Sequence, residues 1–529
     1  MSQRLQGPVL VVIMLLVAVV AGAMAVRSRL WVDEIFSLAM ATGHSLEHPA
    51  AGADPAQGDF QLDPGVRSRG DWLRYLEHES PAASPARVIR ATRLSDTSPP
   101  LYYVALSFWT RGLGTSDLSV RAFGIVVFLA TFPLLAALAR RLGGRPAVVP
   151  VCLFFGASPL ALYYASEARM YPLLWFFTVA AALAAVSARQ QRRRLVPGLI
   201  FVTASVGGFL THYFFAFPWG AVVAAVFLWP GRIRRVEFFP AVVVVGVLLL
   251  PWYVQVPALL RGWRVTGDWL NWEPDNFSRV HAAVATVAQF ASGNVRQLWR
   301  AYPLAGWLSA AVIVAAVVRL TRSGRGAAGP ARRWLLPAAW FAAGCAGPFI
   351  FDAWRGSYTA AVPRYACGAL PAASLLLGLL ASRLDARWRL AVVACLLGTW
   401  TPGIYSILKL RDRSGFNLGF VMHELRKRPP AAGDLILVHS IPSGALAAAR
   451  YLPGPAPMTA WVGQLGVRKV PNDLLPLVAG RRDIFLVRIH AVGEPAPEEE
   501  WLRTHYDVVD DTSWPHLAVV RFRARAAGP

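Results

Sequence analysis

Charged residues are scarce in this chain. They make up 16% of its 529 residues, against 55% hydrophobic. A soluble globular protein carries roughly 25% charged residues, so one ordinary soluble domain is excluded. A disordered chain is excluded by the same apolar excess. Cysteine is almost missing as well. The four present, Cys152, Cys345, Cys367 and Cys395, form no CxxC pair and no metal-ligand spacing. That points away from a zinc site or a disulfide framework. All four lie in apolar segments and read as small buried hydrophobes. Acids are few: 30 Asp+Glu stand against 53 Lys+Arg, for a net charge of +23. In a soluble protein that balance would point to nucleic acid. Here the arginines follow a membrane topology instead, and no nucleic-acid partner is expected.

What the chain does have is length in apolar runs, with a mean hydropathy of +0.43. Eleven segments are candidates to span a bilayer: 8–26, 120–139, 147–163, 171–188, 196–211, 214–230, 238–253, 301–318, 334–351, 366–381 and 390–408. The first is longer than the usual core of a signal peptide and is read as a retained helix, although Ala23-Met24-Ala25 resembles a cleavage site. Alternate connections differ sharply in charge. Five short loops hold eighteen arginines, among them Arg140, Arg141, Arg145, Arg192 to Arg194, Arg332, Arg333, Arg387 and Arg389. The connections between them carry few, such as Arg169, Arg355 and Arg364. The positive-inside rule places the arginine-rich loops and the N-terminus in the cytoplasm, and the C-terminus outside.

The expected architecture is therefore an α-helical polytopic membrane protein of about 11 spans, with a small C-terminal α/β extracytoplasmic domain. Its divisions are 1–409, containing a first outer loop over 27–119, and 410–529. The first loop is expected to hold short helices on the membrane surface, such as 101–113. Trp263, Trp269 and Trp272 suit an interfacial belt. In the last 120 residues, Asp434–Ser440, Asp483–Ile489 and His516–Phe522 read as strands and Phe416–Arg428 as a helix ended by Pro429-Pro430. That domain has no glycine-rich phosphate loop and no nucleophile elbow.

Ionisable groups at a membrane boundary are costly unless used. Four outer connections each present one or more. Asp33-Glu34 follows the first span directly. A solvated loop or helix cap explains the pair, and so does a general base or a ligand for a divalent ion. Glu167 and Arg169 are the only charges of the tight turn 163–171; a mutual salt bridge and a lipid-phosphate contact both suit them. His212 stands in the next outer connection, and Arg364 in the last short one, where an anionic headgroup or ordinary interface anchoring would each account for it. Together, acids, arginines and an imidazole at one membrane depth point to chemistry on a phosphorylated substrate.

These stretches resemble the polytopic glycosyltransferases of the GT-C fold, family 39, which includes protein mannosyltransferases and the lipid A aminoarabinose transferase. The resemblance lies in Trp31-Val-Asp-Glu34, Ser98-Pro-Pro-Leu-Tyr-Tyr103, Leu118-Ser-Val-Arg-Ala-Phe123, Ser158 to Tyr171, Thr211-His-Tyr213 and Pro363-Arg-Tyr365, and covers about residues 1–410. The stretch 158–171 is the most specific. The chain departs from the family at Ser98, where relatives usually have His, and at Ser166, where they often have Gln.

The resemblance implies an inverting glycosyltransferase that moves a sugar from a polyprenyl-phosphate donor to an acceptor hydroxyl on the outer face of the plasma (inner) membrane. The acceptor would be a lipid, a polysaccharide or a protein. Asp33 matches the family's catalytic carboxylate, and Glu34 is its companion. The donor phosphate and sugar would be bound among Glu167, Arg169, Tyr171, His212, Tyr213, Arg364, Tyr365, Tyr102 and Tyr103. No cofactor is required by the sequence; Asp33, Glu167 and His212 are the residues that would hold a divalent metal ion. A transporter or a non-catalytic scaffold presenting the C-terminal domain are the competing classes. The helix centres carry almost no charge and no inverted repeat is evident, which disfavours the first.

Overall fold

The computed structural model describes residues 3–47, 52–61, 65–96, 98–190, 195–228, 235–261, 303–322, 332–413, 417–462, 468–490, 496–514 and 517–525. Trp263, Trp269 and Trp272 lie outside these. The chain divides into two compact units, each assembled from distant parts of the sequence. The first takes Met1–Arg27, Arg121–Pro257 and the described residues from Pro303 to Leu410; the second takes Ser28–Val120, a few residues after Pro257, and Arg411 onward.

The first unit is helical. Each of the eleven apolar segments is mostly helical where it is described. Among the described residues, seven helices are long and apolar enough to cross a membrane, and eight if one bent pair counts as a single span. The expected count of about eleven is therefore not reached by length. Leu195–Phe209 is too short, and so is the helical stretch beginning at Tyr213. The segment 147–163 is broken by 61° between Arg145–Ala157 and Pro159–Ala165. The cause of the break is local. Pro159 cannot continue the preceding helix, and the Ser158 hydroxyl accepts from the Ala161 N–H to start a new one.

Neighbouring helices meet where glycine or small residues permit it. Tyr171–Gln190 packs on Leu195–Phe209, Arg145–Ala157 on Leu370–Arg383, and Ala216–Leu228 on Arg332–Arg355. Phe128, Phe132, Phe155 and Trp175 form an aromatic cluster at the centre, with ring centroids 4.9–5.8 Å apart. Arg121, fully buried, donates to the Ala25 carbonyl 2.7 Å away and so caps the end of Gln3–Arg27. Cys152, Cys345 and Cys367 are buried as expected, but Cys395 is exposed on the spanning helix Ala386–Lys409. An apolar stretch that faces lipid buries nothing against protein, which sequence apolarity alone does not reveal.

The second unit contains a five-stranded sheet: β1 (Leu435–His439), β2 (Met458–Trp461), β3 (Asp483–Ile489), β4 (Tyr506–Trp514) and β5 (Leu517–Ala524). The spatial order is β2-β1-β3-β5-β4, with β1 parallel to both neighbours and β5 antiparallel to both β3 and β4. The strands read from sequence are β1, β3 and β5, each with a buried apolar run. The outer edge of β2 is not left open. Arg67 and Met458 exchange backbone hydrogen bonds of 2.8 and 3.1 Å, and Trp72 Nε1 donates to the Met458 carbonyl. Residues 28–120 and 411–525 are thus stitched together, also by Arg29–Asp412 at 3.0 Å and Arg450–Asp117 at 2.7 Å. The stretch 101–113 forms the helix Leu101–Leu113, and the helix expected over Phe416–Arg428 appears as Leu418–Lys427.

Candidate functional site

In the first unit the turn 166–170 joins Pro159–Ala165 to Tyr171–Gln190. It is built tightly. The Ser166 hydroxyl donates back to the carbonyls of Leu162 and Tyr163, and the Arg169 N–H donates to the Glu167 carbonyl at 2.8 Å. Gly124 makes room for it: a Cβ there would sit 3.1 Å from the Ala165 carbonyl oxygen. Glu167 is 2% exposed and Arg169 9%. A carboxylate and a guanidinium so far out of water are held at high cost, which is typical of groups kept for chemistry or ligand binding.

Two further pieces of this unit converge with the turn on Tyr171. Glu167, Arg169, Arg364 and Tyr365 all lie close enough to act electrostatically on its hydroxyl. The rings of Tyr164 and Tyr171 are 4.8 Å apart, Tyr171 and His212 6.3 Å, and His212 and Tyr365 6.5 Å. The Arg364 guanidinium lies over the Tyr365 ring at 5.3 Å. The structure therefore brings together Glu167, Arg169, Tyr171, His212, Arg364 and Tyr365 from three separate connections. Tyr213 sits beside His212, but its hydroxyl accepts from Trp252 Nε1 at 3.3 Å.

Arg364 is held in place by a device that sequence reading missed. Asp352 is buried, and its two oxygens accept from the Ser357 hydroxyl, the Thr359 N–H and hydroxyl, and the Ala360 N–H, all at 2.6–2.8 Å. Trp175 and Trp340 then donate to the carbonyls of Cys367 and Gly368. The loop carrying Arg364 is clamped at both ends. The signal was present as Asp352 followed by Ser357 and Thr359, a spacing that suits a carboxylate turning a loop.

His212 has an assigned role in hydrogen bonding. Its Nδ1 accepts from the Phe214 backbone N–H at 3.0 Å, so the ring proton lies on Nε2. Nε2–H is then a donor, suited to an anion and not to ligating a metal. Among the described residues, no three His, Cys, Asp or Glu side chains gather closely enough to hold a metal ion. The expected set draws Asp33 from the second unit and Glu167 and His212 from the first, and no step below is routed through a metal.

In the second unit, the helix Val32–Ala41 starts directly after Leu30 and Trp31. The adjacent acids divide their work. Glu34 is fully buried, and its Oε2 accepts from the Trp31 N–H at 3.1 Å, closing the first turn of its own helix. Asp33 is half-buried, and its carboxylate is close enough to act on the imidazole of His490. Burial lowers the affinity of His490 for a proton below the ordinary histidine range, while Asp33 pulls the other way. Tyr102 and Tyr103 are buried in the same unit, their rings 5.4 Å apart. The Tyr103 hydroxyl donates to Asp96 at 3.0 Å. Sequence reading did not single out His490, because a lone histidine after a strand carries no pattern.

Solved structures share the fold. ArnT from Cupriavidus metallidurans bound to undecaprenyl phosphate matches with a TM-score of 0.57 at 14% identity, over 100% of this chain and 100% of that one. The same protein in the apo state matches at 0.57 and 13%, over 98% and 99%. The chain has the GT-C fold. No family model matches the sequence, and no curated protein matches it. With the GT-C fold go its span-length apolar helices, and the chain is an integral membrane protein.

Proposed function

We propose that this chain is an inverting glycosyltransferase, using a polyprenyl-phosphate sugar as donor and an acceptor hydroxyl on the outer face of the membrane. One observation carries the reading: Arg169, Arg364 and the donor face of His212 gather around the buried Tyr171 in an aromatic setting. Two guanidinium groups and an Nε2–H suit a phosphate. The fold of ArnT, whose structure holds undecaprenyl phosphate, supports the same ligand class.

In the proposed reaction the acceptor oxygen attacks the anomeric carbon of the donor sugar. Asp33 takes the acceptor proton as the new bond forms. The bond between that carbon and the phosphate oxygen breaks, and polyprenyl phosphate leaves with its added negative charge. Arg169, His212 and Arg364 stabilise that charge. A single displacement inverts the anomeric centre. Glu34 holds the start of the helix that carries Asp33. The N-terminus is assigned to the cytoplasm and the chemistry to the extracytoplasmic face of the plasma membrane, from the arginine-rich loops. Residues 1–409 form the membrane division in this reading and 410–529 the extracytoplasmic domain.

The test compares membranes holding the wild type with membranes holding Asp33→Asn. Radiolabelled polyprenyl-phosphate mannose, arabinose, aminoarabinose and galacturonic acid are supplied one at a time, with and without chelator. Transfer from one donor that falls about 10²–10⁴-fold in the variant is the expected result. Equal transfer in both removes Asp33 as the base. The chelator lane reports metal use separately.

A further inference from the structure

The small sheet holds ionisable groups that the reaction above leaves unused. The chain leaves β1 through Pro442–Tyr451 to form β2 on one side, then returns to form β3 on the other. The winding reverses there. In open α/β sheets such a reversal opens a crevice beyond the carboxyl ends of the two strands. The residues at those ends are His439 and Ser440 after β1, and His490 after β3.

Three observations single out this edge. His490 has φ 52°, and among the described residues no other non-glycine has positive φ. Outliers of this kind cluster at functional sites. The turn is also built from beneath. The Ser440 hydroxyl donates to the Ile489 carbonyl at 2.6 Å, and a side chain at Gly444 would run into that hydroxyl. Behind Ser440, His439 Nδ1 pairs with Glu498, both out of water. The Ser443 hydroxyl and Glu498 Oε2 are buried with no hydrogen-bond partner among the described residues. Finally, the edge meets Asp33. Its carboxylate acts on the His490 ring, the helix Val32–Ala41 packs on Pro442–Tyr451, and the Leu30 N–H donates to the Tyr451 hydroxyl at 3.0 Å. All of these residues belong to the second unit.

We propose that the carboxyl edge of β1 and β3 is the acceptor side of the reaction centre, with His490 a positioning residue that fixes Asp33 for the incoming hydroxyl. The proposal rests on Asp33 being the base. It makes the C-terminal domain a working part of the enzyme, although that domain carries no catalytic motif of its own. A ring kept neutral by burial can orient the nearby carboxylate without cancelling its charge. The latch from Ser440 to Ile489 fixes the ring's backbone.

The test uses the full chain in membranes, with Asp33→Asn, His490→Ala, His490→Gln and Ser440→Ala beside the wild type. Two readouts are taken: transfer from the radiolabelled donor panel to endogenous acceptors, and labelling by a photoactivatable polyprenyl phosphate. His490→Ala should lower transfer about 10²-fold, the cost of a displaced reacting group, with lipid labelling unchanged. His490→Gln, which keeps an N–H donor, should recover much of it. Wild-type transfer by His490→Ala, where Asp33→Asn is inactive, overturns the proposal and leaves the base standing. Equal loss in the Ala and Gln variants, with labelling intact, also overturns it. Full transfer by Asp33→Asn overturns both readings at once. If His490→Ala loses lipid labelling too, Ser440→Ala decides: wild-type transfer counts against the proposal, and partial loss with intact labelling supports it.

Discussion

The two units treat charge in opposite ways. In the second, arginines meet carboxylates in local pairs: Arg90 with Asp59, Arg450 with Asp117, Arg521 and Arg523 with Asp483, Arg503 with Glu499 and Asp511. In the first, Arg169, Arg364 and His212 gather with Glu167 around tyrosine rings. Paired charge is a structural device whose individual contribution at a surface is small. Charge concentrated among aromatic rings near a membrane boundary is costly to fold and is kept for a ligand. The comparison teaches that cations are to be judged by their company and not by their number.

The sharpest way to break this contrast is to remove one cation from each unit. Arg364→Ala should cost about 10²–10³ in transfer rate, the usual loss on removing a donor to developing charge. Arg364→Lys should restore part of it. Arg523→Ala, which leaves the buried Asp483 its other partner Arg521, should leave the rate per folded molecule unchanged and shift the unfolding midpoint only slightly. Donor-panel transfer normalised to folded protein measures the first, and thermal unfolding in detergent the second. Equal rate losses in the two variants would erase the distinction.

A smaller effect is expected at the clamp behind Arg364. Asp352→Ala leaves two backbone N–H groups and two hydroxyls without their acceptor. The expected loss is about 2–4 kcal/mol, from several unmade bonds to one buried carboxylate. Transfer should fall with it, because the loop that presents Arg364 loosens. Unfolding midpoints of the variant and wild type, compared with their transfer rates, would show whether position and stability fall together.

The smallest expected effect is a pH dependence confined to the second unit. Burial lowers His44 to about 4, against a weaker upward pull from Glu79. The unfolded chain therefore binds the His44 proton first, and this group's share of stability, full above about 6.5, is lost as pH falls toward 4. Asp59 acts lower. Burial raises it, but hydrogen bonds from Arg90, Ser45 and the Asp54 N–H outweigh that and hold it at about 2. Its contribution, full above about 3.8 and on the order of 1–2 kcal/mol after solvent screening, is lost as pH falls through 2. His44→Gln should flatten the upper part of the acid-unfolding curve and leave the lower part in place. An unchanged curve between pH 6.5 and 4 would show that His44 is not the source.

Much of this was legible in the sequence for physical reasons. Apolar runs and arginine bias report directly on a membrane, and every apolar segment is mostly helical where described. Length was harder to read, because Ser158-Pro159 looks like part of one run and makes a 61° break. β1, β3 and β5 were readable as apolar strands. β4 was not, because its sequence Tyr506 to Trp514 is polar and largely exposed, nor was β2, only four residues long. Of the site, the turn at 163–171 carried its own motif. The division between Asp33 and Glu34 did not, since a cap and a base look alike in sequence. The link from Asp33 to His490 crosses more than 450 residues and is visible only in the folded chain.

The second unit joins residues before Val120 to residues after Arg411, and that has a consequence for synthesis. Ribosomes add about 5–20 residues per second, so the early half waits roughly 15–60 s for its partner to be made. During that interval Trp72 lacks the carbonyl of Met458, and Leu30 lacks the hydroxyl of Tyr451. A polypeptide halted anywhere before the final strands would carry Asp33 without the fold that surrounds it. The surroundings of Asp33 would then be completed late in synthesis, once the residues after Arg411 are made.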